Sequence, residues 1–303
     1  MSLPARFRRL RLLIVGCGDV GLRVLRERSA GVRALALTSS PARAGELRAA
    51  GAVPLVGDLD APRTLARLAG IAHRVLHLAP PPAQGRTDPR TRALLAVLAR
   101  RSRPDALVYA STSGVYGDCD GARIDETRRV APATDRAHRR VDAEARVRWF
   151  GRAFGVRSSV LRVPGIYAFD RPGGDPRERV ARGTPVLQPG DDVFTNHIHA
   201  DDLARACLAA LFRGRPQRVV HASDDSESRM GEHFELVADL AGLPRPPRRS
   251  RAEAAASLSP AQMSFLSESR RLDNRRLRRE LRVRLRHPTV RAAFEAAAAA
   301  ARR

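Results

Sequence analysis

The sequence predicts an α/β fold in which helices cover both faces of a doubly wound parallel sheet. From residue 12 to residue 163, apolar runs of strand length alternate with amphipathic segments of helix length. A glycine-rich turn follows directly on the first apolar run. The chain has 303 residues, 43% of them hydrophobic, which is enough to bury a large core. Alternation of this kind indicates parallel strands that are joined by helical crossovers.

The first strand, residues 12–15, runs into Gly16-Cys17-Gly18-Asp19-Val20-Gly21 and a helix over 22–28. In a Rossmann-type turn the first glycine allows the tight bend and the second lets backbone approach a pyrophosphate. The third lets the helix pack on the strand, and the amino end of the helix directs free N–H groups at the anion. An ordinary strand–turn–helix without a ligand has the same glycines, so the turn alone leaves both interpretations open.

The second strand, residues 32–37, bears on the choice of dinucleotide. NAD-binding proteins carry an acid at its end that holds the ribose 2′-hydroxyl. Here the place holds Thr38 and Ser39, and no acid occurs between residues 32 and 45. Arg43 falls in the first turn of the next helix, where it can meet a 2′-phosphate. We therefore expect NADP, with NAD as the other possibility; the alternative is that Ser40 only caps the helix and Arg43 is only solvated.

Three more strands complete the first half of the chain. They cover residues 53–59, 74–79 and 106–110, with helices over 61–69 and 87–101 between them. Three prolines at 80–82 end the strand over 74–79. Because ligands bind at the carboxyl ends of parallel strands, we expect one crevice to gather five positions: Gly16, Thr38, Asp58, Ala79 and Ser111.

The second half contains a helix over 135–154, a strand over 159–163, a helix over 202–212 capped by Asp201, and a strand over 218–222. Further helices are expected at 231–241 and 289–303, with a basic proline-containing linker at 245–251 and an arginine-rich stretch at 270–286. We expect residues 1–165 to form the dinucleotide-binding domain, with 201–222 returning to it. Residues 166–303 are expected to form a smaller substrate-binding lobe.

The net charge of +23 comes entirely from arginine, since the chain has no lysine. The arginines are spread along the chain and aromatic residues make up only 4%, so no stacking platform for bases is evident. We expect weak attraction to polyanions at low salt and no specific nucleic-acid partner.

The expected location is the cytoplasm, with no membrane partner. No apolar run approaches the ~20 residues that cross a bilayer, and the basic start of the chain leads straight into the first strand rather than a targeting segment. Three scattered cysteines, Cys17, Cys119 and Cys207, suggest reduced thiols. No metal site is expected, because His197 and His199 fit a structural role beside a helix start better than ligation.

These features together resemble the extended and atypical short-chain dehydrogenase/reductases, the superfamily of NAD-dependent sugar epimerases and dehydratases. The matching stretches are VGCGDVG at 15–21, GDL at 57–59, LHLAPP at 76–81, ASTSGVYGD at 110–118, LRVPGIYAF at 161–169 and NHIHADDLA at 196–204. The resemblance implies phosphate contacts from Gly16, Cys17, Gly18, Val20 and Gly21. It implies adenine contacts from Asp58 and Leu59, ribose contacts from Ala79 and Pro80, and a nicotinamide contact from Pro164.

The chain departs from this superfamily in its catalytic pair, Tyr-x-x-x-Lys. Counting back from Glu144, the lysine position holds Arg140 and the tyrosine position holds Arg136. An arginine can bind the ribose or an anion, but it cannot give up a proton near neutral pH. Thr112 takes the place of the superfamily's hydroxyl that contacts the reacting oxygen, and Tyr116 is the remaining phenol expected near the cleft.

Two functions follow as expectations. The first is an oxidoreductase that acts on a small, anionic substrate with catalytic candidates Thr112, Tyr116, Arg136 and Arg140. The alternative is a dinucleotide-binding sensor or scaffold without turnover, which the missing dyad favours. A homodimer is a possibility, because related enzymes often pair through the helix that holds the dyad.

Overall fold

A computed structural model describes residues 9–302. Seven parallel strands form the central sheet, and the chain-order labels used below are given in parentheses. The strands are Leu10–Val15 (β1), Val32–Thr38 (β2), Ala52–Val56 (β3), Arg74–His77 (β4), Ala106–Thr112 (β5), Arg157–Val163 (β7) and Arg218–His221 (β11). Their order across the sheet is β11-β7-β5-β4-β1-β2-β3. The order reverses direction at β1, so the predicted doubly wound parallel sheet is confirmed.

Side chains alternate between two buried layers, as the period of two along a strand requires. Leu12 and Ile14 of β1 belong to one hydrophobic cluster, and Leu13 and Val15 belong to the other. Both faces are therefore covered, which explains why the strands read as continuous apolar runs rather than alternating ones.

Helices supply the outer half of each layer. Asp19–Glu27 (α1), Ala44–Ala49 (α2) and Ala200–Arg213 (α6) pack on the face that holds Leu12. Pro89–Leu98 (α3) and Asp135–Phe154 (α4) pack on the face that holds Leu13. The bounds of α4 match the sequence-based expectation because Thr134 caps its start, accepting from Ala137 N, and Gly155 ends it with φ +67°.

The helix expected over 61–69 is present as the 3₁₀ helix Pro62–Leu68, and the Thr64 hydroxyl binds Ala61 O at 2.7 Å near its start. The expectation that Asp201 caps α6 was wrong. The cap of α6 is His199, whose Nδ1 accepts from Asp201 N at 3.2 Å. Asp201 lies inside the first turn and pairs with Arg23 instead. Ser40 takes the expected N-cap position, with Pro41 as the first helical residue, but the helix is the 3₁₀ turn Pro41–Arg43 and the Ser40 side chain makes no capping bond.

A second lobe forms between β7 and the end of the chain. Its short strands are Gly165–Tyr167 (β8), Val186–Leu187 (β9), His197–His199 (β10) and Arg248–Arg249 (β12), paired β8 with β10 and β9 with β12. Its helices are Pro176–Ala181 (α5), Met230–Ala241 (α7), Arg251–Ser257 (α8), Pro260–Leu266 (α9) and Val290–Ala301 (α11). A separate hydrophobic cluster around Phe234 and Val237 holds this lobe together.

The chain returns from the second lobe to the sheet twice. Helix α6 and strand β11 rejoin it, with Val219 and Val160 as register partners. Helix Arg275–Arg279 (α10) also packs there, because Leu277 and Leu281 belong to the sheet's cluster. A short pair of Arg123–Ile124 (β6) and Arg271–Leu272 (β13) bridges the two parts.

The basic start of the chain, residues 1–8, and the final Arg303 lie outside the described residues. Within 9–302 no helix combines the length and the apolar character that a bilayer crossing requires.

Candidate functional site

A cavity of about 470 Å³ opens at the carboxyl ends of the parallel strands. The five strand-end positions expected to converge, from Gly16 to Ser111, all line it. Of the thirteen residues proposed to hold a cofactor, twelve line this one cavity: Gly16, Cys17, Gly18, Val20, Gly21, Thr38, Ser39, Arg43, Asp58, Leu59, Ala79 and Pro80. Pro164 does not, although Val163 and Ile166 on either side of it do.

The three glycines of the turn have different surroundings. Gly16 has φ +83°, and a Cβ on it would lie 2.4 Å from Ala79 N, so the turn and the loop after β4 touch directly. A Cβ on Gly21 would lie 2.9 Å from Cys17 Sγ, inside the contact between turn and helix. A Cβ on Gly18 would meet nothing within 4 Å. Gly16 and Gly21 therefore serve the fold, and Gly18 leaves room at the surface where backbone can approach a ligand.

Cys17 is fixed by packing. Its side chain is buried, and burial raises the pKa of the thiol to about 11, so it stays protonated at neutral pH.

Beside the end of β2, the polar groups are partly held by their own loop. Thr38 Oγ1 accepts from Ser40 N at 3.2 Å. Arg43 reaches the cavity and is paired with Glu46 at 2.9 Å, with about a third of its side chain exposed. No acid among the lining residues occupies the end of β2 itself, as the sequence already indicated.

The loop after β3 is braced across the cavity by Arg90, which sequence reasoning missed. Its guanidinium holds Asp60 through two bonds of 2.7 and 2.5 Å and donates to Pro80 O at 3.2 Å. Asp60 N in turn binds Asp58 Oδ1 at 2.9 Å. The contact joins positions 30 residues apart, so no local motif could reveal it.

Arg140 is the one catalytic candidate that lines the cavity. Its NH1 donates to the Tyr109 hydroxyl at 3.0 Å and to Ala110 O at 2.8 Å. Burial raises the pKa of Tyr109, which is fully enclosed, so this phenol offers no proton transfer near neutral pH. The arrangement presents a fixed positive charge without an acid or base.

The placement of Tyr116 near the cleft was wrong. Its ring is 1% exposed, and its hydroxyl lies between Arg162 NH1 at 2.7 Å and His221 Nε2 at 2.6 Å. Burial, partly offset by Arg162, raises the pKa of Tyr116 to about 12. A short 3₁₀ helix, Ser113–Tyr116, turns the phenol into the core behind the cavity.

Thr112 and Arg136 are also absent from the lining. Thr112 Oγ1 accepts from Gly114 N at 3.2 Å and so caps the 3₁₀ helix. The guanidinium of Arg136 lies 4.7 Å above the Phe265 ring of α9 in the second lobe. The four catalytic candidates are therefore not brought together.

Behind the cavity lies a buried ion pair that sequence reasoning did not predict. Glu144 accepts from Arg162 at 2.7 Å and from the Ser111 hydroxyl at 2.6 Å, and both charged side chains are about 5% exposed. The signal was present: Glu144 matches the superfamily's flanking glutamate, and Arg162 is a charge inside an apolar strand. Ser111 links this pair to the cavity lining.

His199, Asp201 and His287 have ligand atoms within 4.8 Å of one another. The two imidazole rings lie 3.9 Å apart, and Asp201 already accepts from the buried Arg23 at 2.5 Å. Burial, with His287 nearby, lowers the pKa of His199 to about 4. A cation here would compete with Arg23 for the carboxylate.

Comparison with known proteins gives consistent matches. A sequence model of the NAD-dependent epimerase/dehydratase family matches residues 20–222. A solved structure of a conserved protein of unknown function from Silicibacter pomeroyi is 30% identical, covers 96% of this chain and 98% of its own, and superposes with a TM-score of 0.78. A dTDP-glucose 4,6-dehydratase from Streptomyces venezuelae, solved with NAD bound, is 20% identical over 94% of this chain and 95% of its own, with a TM-score of 0.75.

A curated UDP-glucose 4-epimerase from Azospirillum brasilense is 28% identical over 124 residues. The match spans 41% of this chain and 30% of that protein, so it covers less than a third of the relative's length.

Proposed function

The chain belongs to the NAD-dependent epimerase/dehydratase family, and from that premise we propose that it binds a nicotinamide dinucleotide, with NADP(H) preferred, as an oxidoreductase acting on a small molecule. One observation carries the proposal. The glycine turn and the ends of β2, β3 and β4 line a single cavity, and a Cβ at Gly18 would extend into open space within it. The dehydratase with the same fold was solved with NAD bound.

The residues that would hold the dinucleotide follow from the strand order. Backbone amides of the turn 16–21, at the amino end of α1, receive the diphosphate. Asp58 and Leu59 lie at the adenine end, and Ala79 and Pro80 follow β4 beside the ribose. Val163 and Ile166 provide the apolar surface near the nicotinamide, in place of Pro164. When bound, the dinucleotide supplies hydride transfer.

The preference for NADP(H) rests on charge at the end of β2. Thr38 and Ser39 replace the acid that repels a 2′-phosphate, and Arg43 lies on the cavity wall beside them. The pairing of Arg43 with Glu46 is partly solvent-exposed and hence weak, so a phosphate can compete for the guanidinium.

The chemistry proposed here proceeds without the usual tyrosine and lysine. Arg140 takes over the lysine's part in holding the ribose and adds a positive charge that favours an anionic substrate. Proton transfer then comes from the substrate or from water, because Tyr116 is buried and Arg136 lies on Phe265. We place the substrate site on the second-lobe side of the cavity.

The burial of Tyr116 and the contact of Arg136 with Phe265 favour a second candidate, a dinucleotide-binding sensor or scaffold that has no turnover. Because neither side chain lines the cavity, the described lining offers no phenol at the nicotinamide end. Steady-state NADPH oxidation with any member of a carbonyl and sugar-nucleotide panel separates the candidates: turnover removes the second one. Tight binding with no turnover across the panel supports it.

Titration of NADPH and NADH against Gly18→Val tests the binding itself. The new side chain has room, so the fold stays intact, but it occupies the place of the diphosphate. We expect affinity for both dinucleotides to fall by about 100-fold or more, roughly 2.7 kcal/mol. Gly190→Val, in an exposed turn outside the cavity, is the matched control. Unchanged affinity in Gly18→Val would refute the proposed site.

Arg43→Ala tests the cofactor preference. Loss of one charge-assisted contact is expected to weaken NADPH binding by about tenfold, roughly 1.4 kcal/mol, and to leave NADH unchanged. Arg48→Ala, at an exposed arginine outside the cavity on α2, the helix that follows Arg43, is the control. A preference for NADPH that survives Arg43→Ala would contradict the assignment.

A further inference from the structure

We propose that Arg171, from the loop over 168–175 in the second lobe, binds the diphosphate of the dinucleotide opposite the glycine turn. The inference rests on the proposed function and adds a binding residue that lies outside the sequence motifs. It makes the diphosphate site a two-sided one, with backbone amides on the sheet side and a guanidinium on the second-lobe side.

The first support is a carboxylate in an unfavourable place. Asp19 is the first residue of α1 and lines the cavity beside the amides expected to receive an anion. An unpaired carboxylate there would repel a diphosphate. Arg171 NH1 donates to Asp19 Oδ2 at 3.0 Å, and Arg23 Nε donates to Oδ1 at 3.0 Å. Both carboxylate oxygens are thus paired, and Arg171 brings a positive charge to the cavity wall.

The second support is the spare hydrogen-bonding capacity of Arg171. A guanidinium has five N–H donors, and one of them is used by Asp19. Its Nε is buried, and within residues 9–302 no acceptor lies within bonding distance of it. The side chain is 26% exposed and lines the cavity. The buried Nε packs toward Gly174, so a phosphate oxygen would bind the terminal Nη groups, through the part of the guanidinium that is exposed at the cavity wall.

The third support is the construction of the loop around this side chain. Gly174 leaves the space in which Arg171 lies, because a Cβ there would be 2.5 Å from Arg171 Cδ. The loop closes on itself, with Gly174 N bound to Arg171 O at 2.9 Å and Ala168 N bound to Gly174 O at 3.2 Å. The conformation of the loop thus fixes the direction of the arginine.

The loop is also anchored to the helix of the glycine turn. Asp170, next to Arg171, accepts from Arg23 NH2 at 2.5 Å, and Asp201 accepts from Arg23 NH1 at 2.5 Å. Arg23 is 3% exposed; burial opposes its charge, but these two hydrogen bonds outweigh burial and raise its pKa. Arg23 therefore joins α1, α6 and the loop, and it keeps Arg171 at the mouth of the cavity.

The test compares Arg171→Gln with the parent protein in calorimetric titrations. NADPH is one probe, and adenosine 2′-monophosphate, which lacks the diphosphate, is the other. We expect about a tenfold loss of NADPH affinity and no change for the monophosphate. Arg182→Gln, an exposed second-lobe arginine outside the cavity, is the control and should change neither. Unchanged NADPH affinity, or equal losses for both probes, would overturn the inference.

Gly174→Ala provides an independent variant, since its methyl group displaces the arginine without removing the charge. We expect a smaller loss of NADPH affinity than in Arg171→Gln, at an unchanged thermal midpoint. Full affinity in both variants, with a parent that binds NADPH, refutes the role of Arg171 alone. A parent that binds neither probe refutes the proposed function as well.

Discussion

The two ends of the cleft differ in how their polar groups are used. At the end proposed for the phosphates, residues 16–21 and 38–43, the glycine turn and Arg43 line the cavity, and Gly18 leaves it open. At the dyad end, residues 109–116 and 136–144, the polar side chains bind one another: Tyr116 holds Arg162 and His221, and Arg140 holds Tyr109. The difference teaches that the strand ends around the glycine turn leave an open cavity, whereas the residues at and around the superfamily's proton-transfer positions mainly bind one another and support the wall.

The sharpest test of this contrast is Glu144→Gln at the dyad end. The substitution leaves Arg162 buried and without its counter-ion, which costs about 3–5 kcal/mol of unfolding free energy. Gly18→Val at the phosphate end is expected to change the unfolding free energy by less than about 1 kcal/mol. Urea denaturation of both variants gives the comparison. A Glu144→Gln protein as stable as Gly18→Val would show that the dyad end is not a structural wall.

The acid sensitivity of the fold is the next largest effect. Burial lowers the pKa of His197 and of His221 to about 4, below their usual value near 6.5. The unfolded chain binds more protons than the folded one between those values, so stability is full above pH 6.5 and falls toward pH 4. Each histidine contributes at most about 3.5 kcal/mol, at about 1.4 kcal/mol per pKa unit.

Thermal midpoints measured across this pH range should therefore fall steadily with acid. Because the described residues that line the cavity include no histidine, the effect belongs to the packed regions around it. In His221→Gln the decline is expected to be shallower than in the parent. A flat profile in the parent between pH 6.5 and pH 4 would contradict the buried, neutral state of these rings.

Tyr116→Phe is expected to give the smallest effect. It removes a hydroxyl that accepts from Arg162 and donates to His221 Nε2, at a cost of about 1–3 kcal/mol because both side chains lose a buried partner. NADPH affinity and any turnover should stay as in the parent. A folded variant in which turnover drops by 100-fold or more would show that Tyr116 takes part in the reaction. It would contradict the difference drawn between the two ends of the cleft.

The fold was largely predictable because its signals are local. Apolar runs such as Leu12–Leu13–Ile14–Val15, the glycine turn and the prolines after β4 each fix a strand or its end within a few residues. The parallel order then brings the strand ends together, which is why the sequence alone predicts that Thr38 and Asp58 lie on one cavity. Membership of the epimerase/dehydratase family is confirmed by the match over residues 20–222.

The site was less predictable where side chains act across long sequence separations. Arg171 meets Asp19 over 152 residues, and Arg90 meets Asp60 over 30. The direction of Tyr116 depends on a 3₁₀ turn and on His221, 105 residues away. A motif fixes which residue occupies a position, but the packing of distant elements decides which way its side chain points.

Strand β11 has a consequence for any attempt to divide this protein. It forms one edge of the large sheet, yet in the chain it comes after the first part of the second lobe, β8 to β10, and it covers Val160 and Leu161 of β7 through the pairs Val219–Val160 and Val220–Leu161. In a fragment cut after residue 165, β7 would become an exposed apolar edge strand with unpaired main-chain amides. Exposed edge strands pair with strands of other molecules, so the fragment would self-associate before it could be studied as a minimal nucleotide binder.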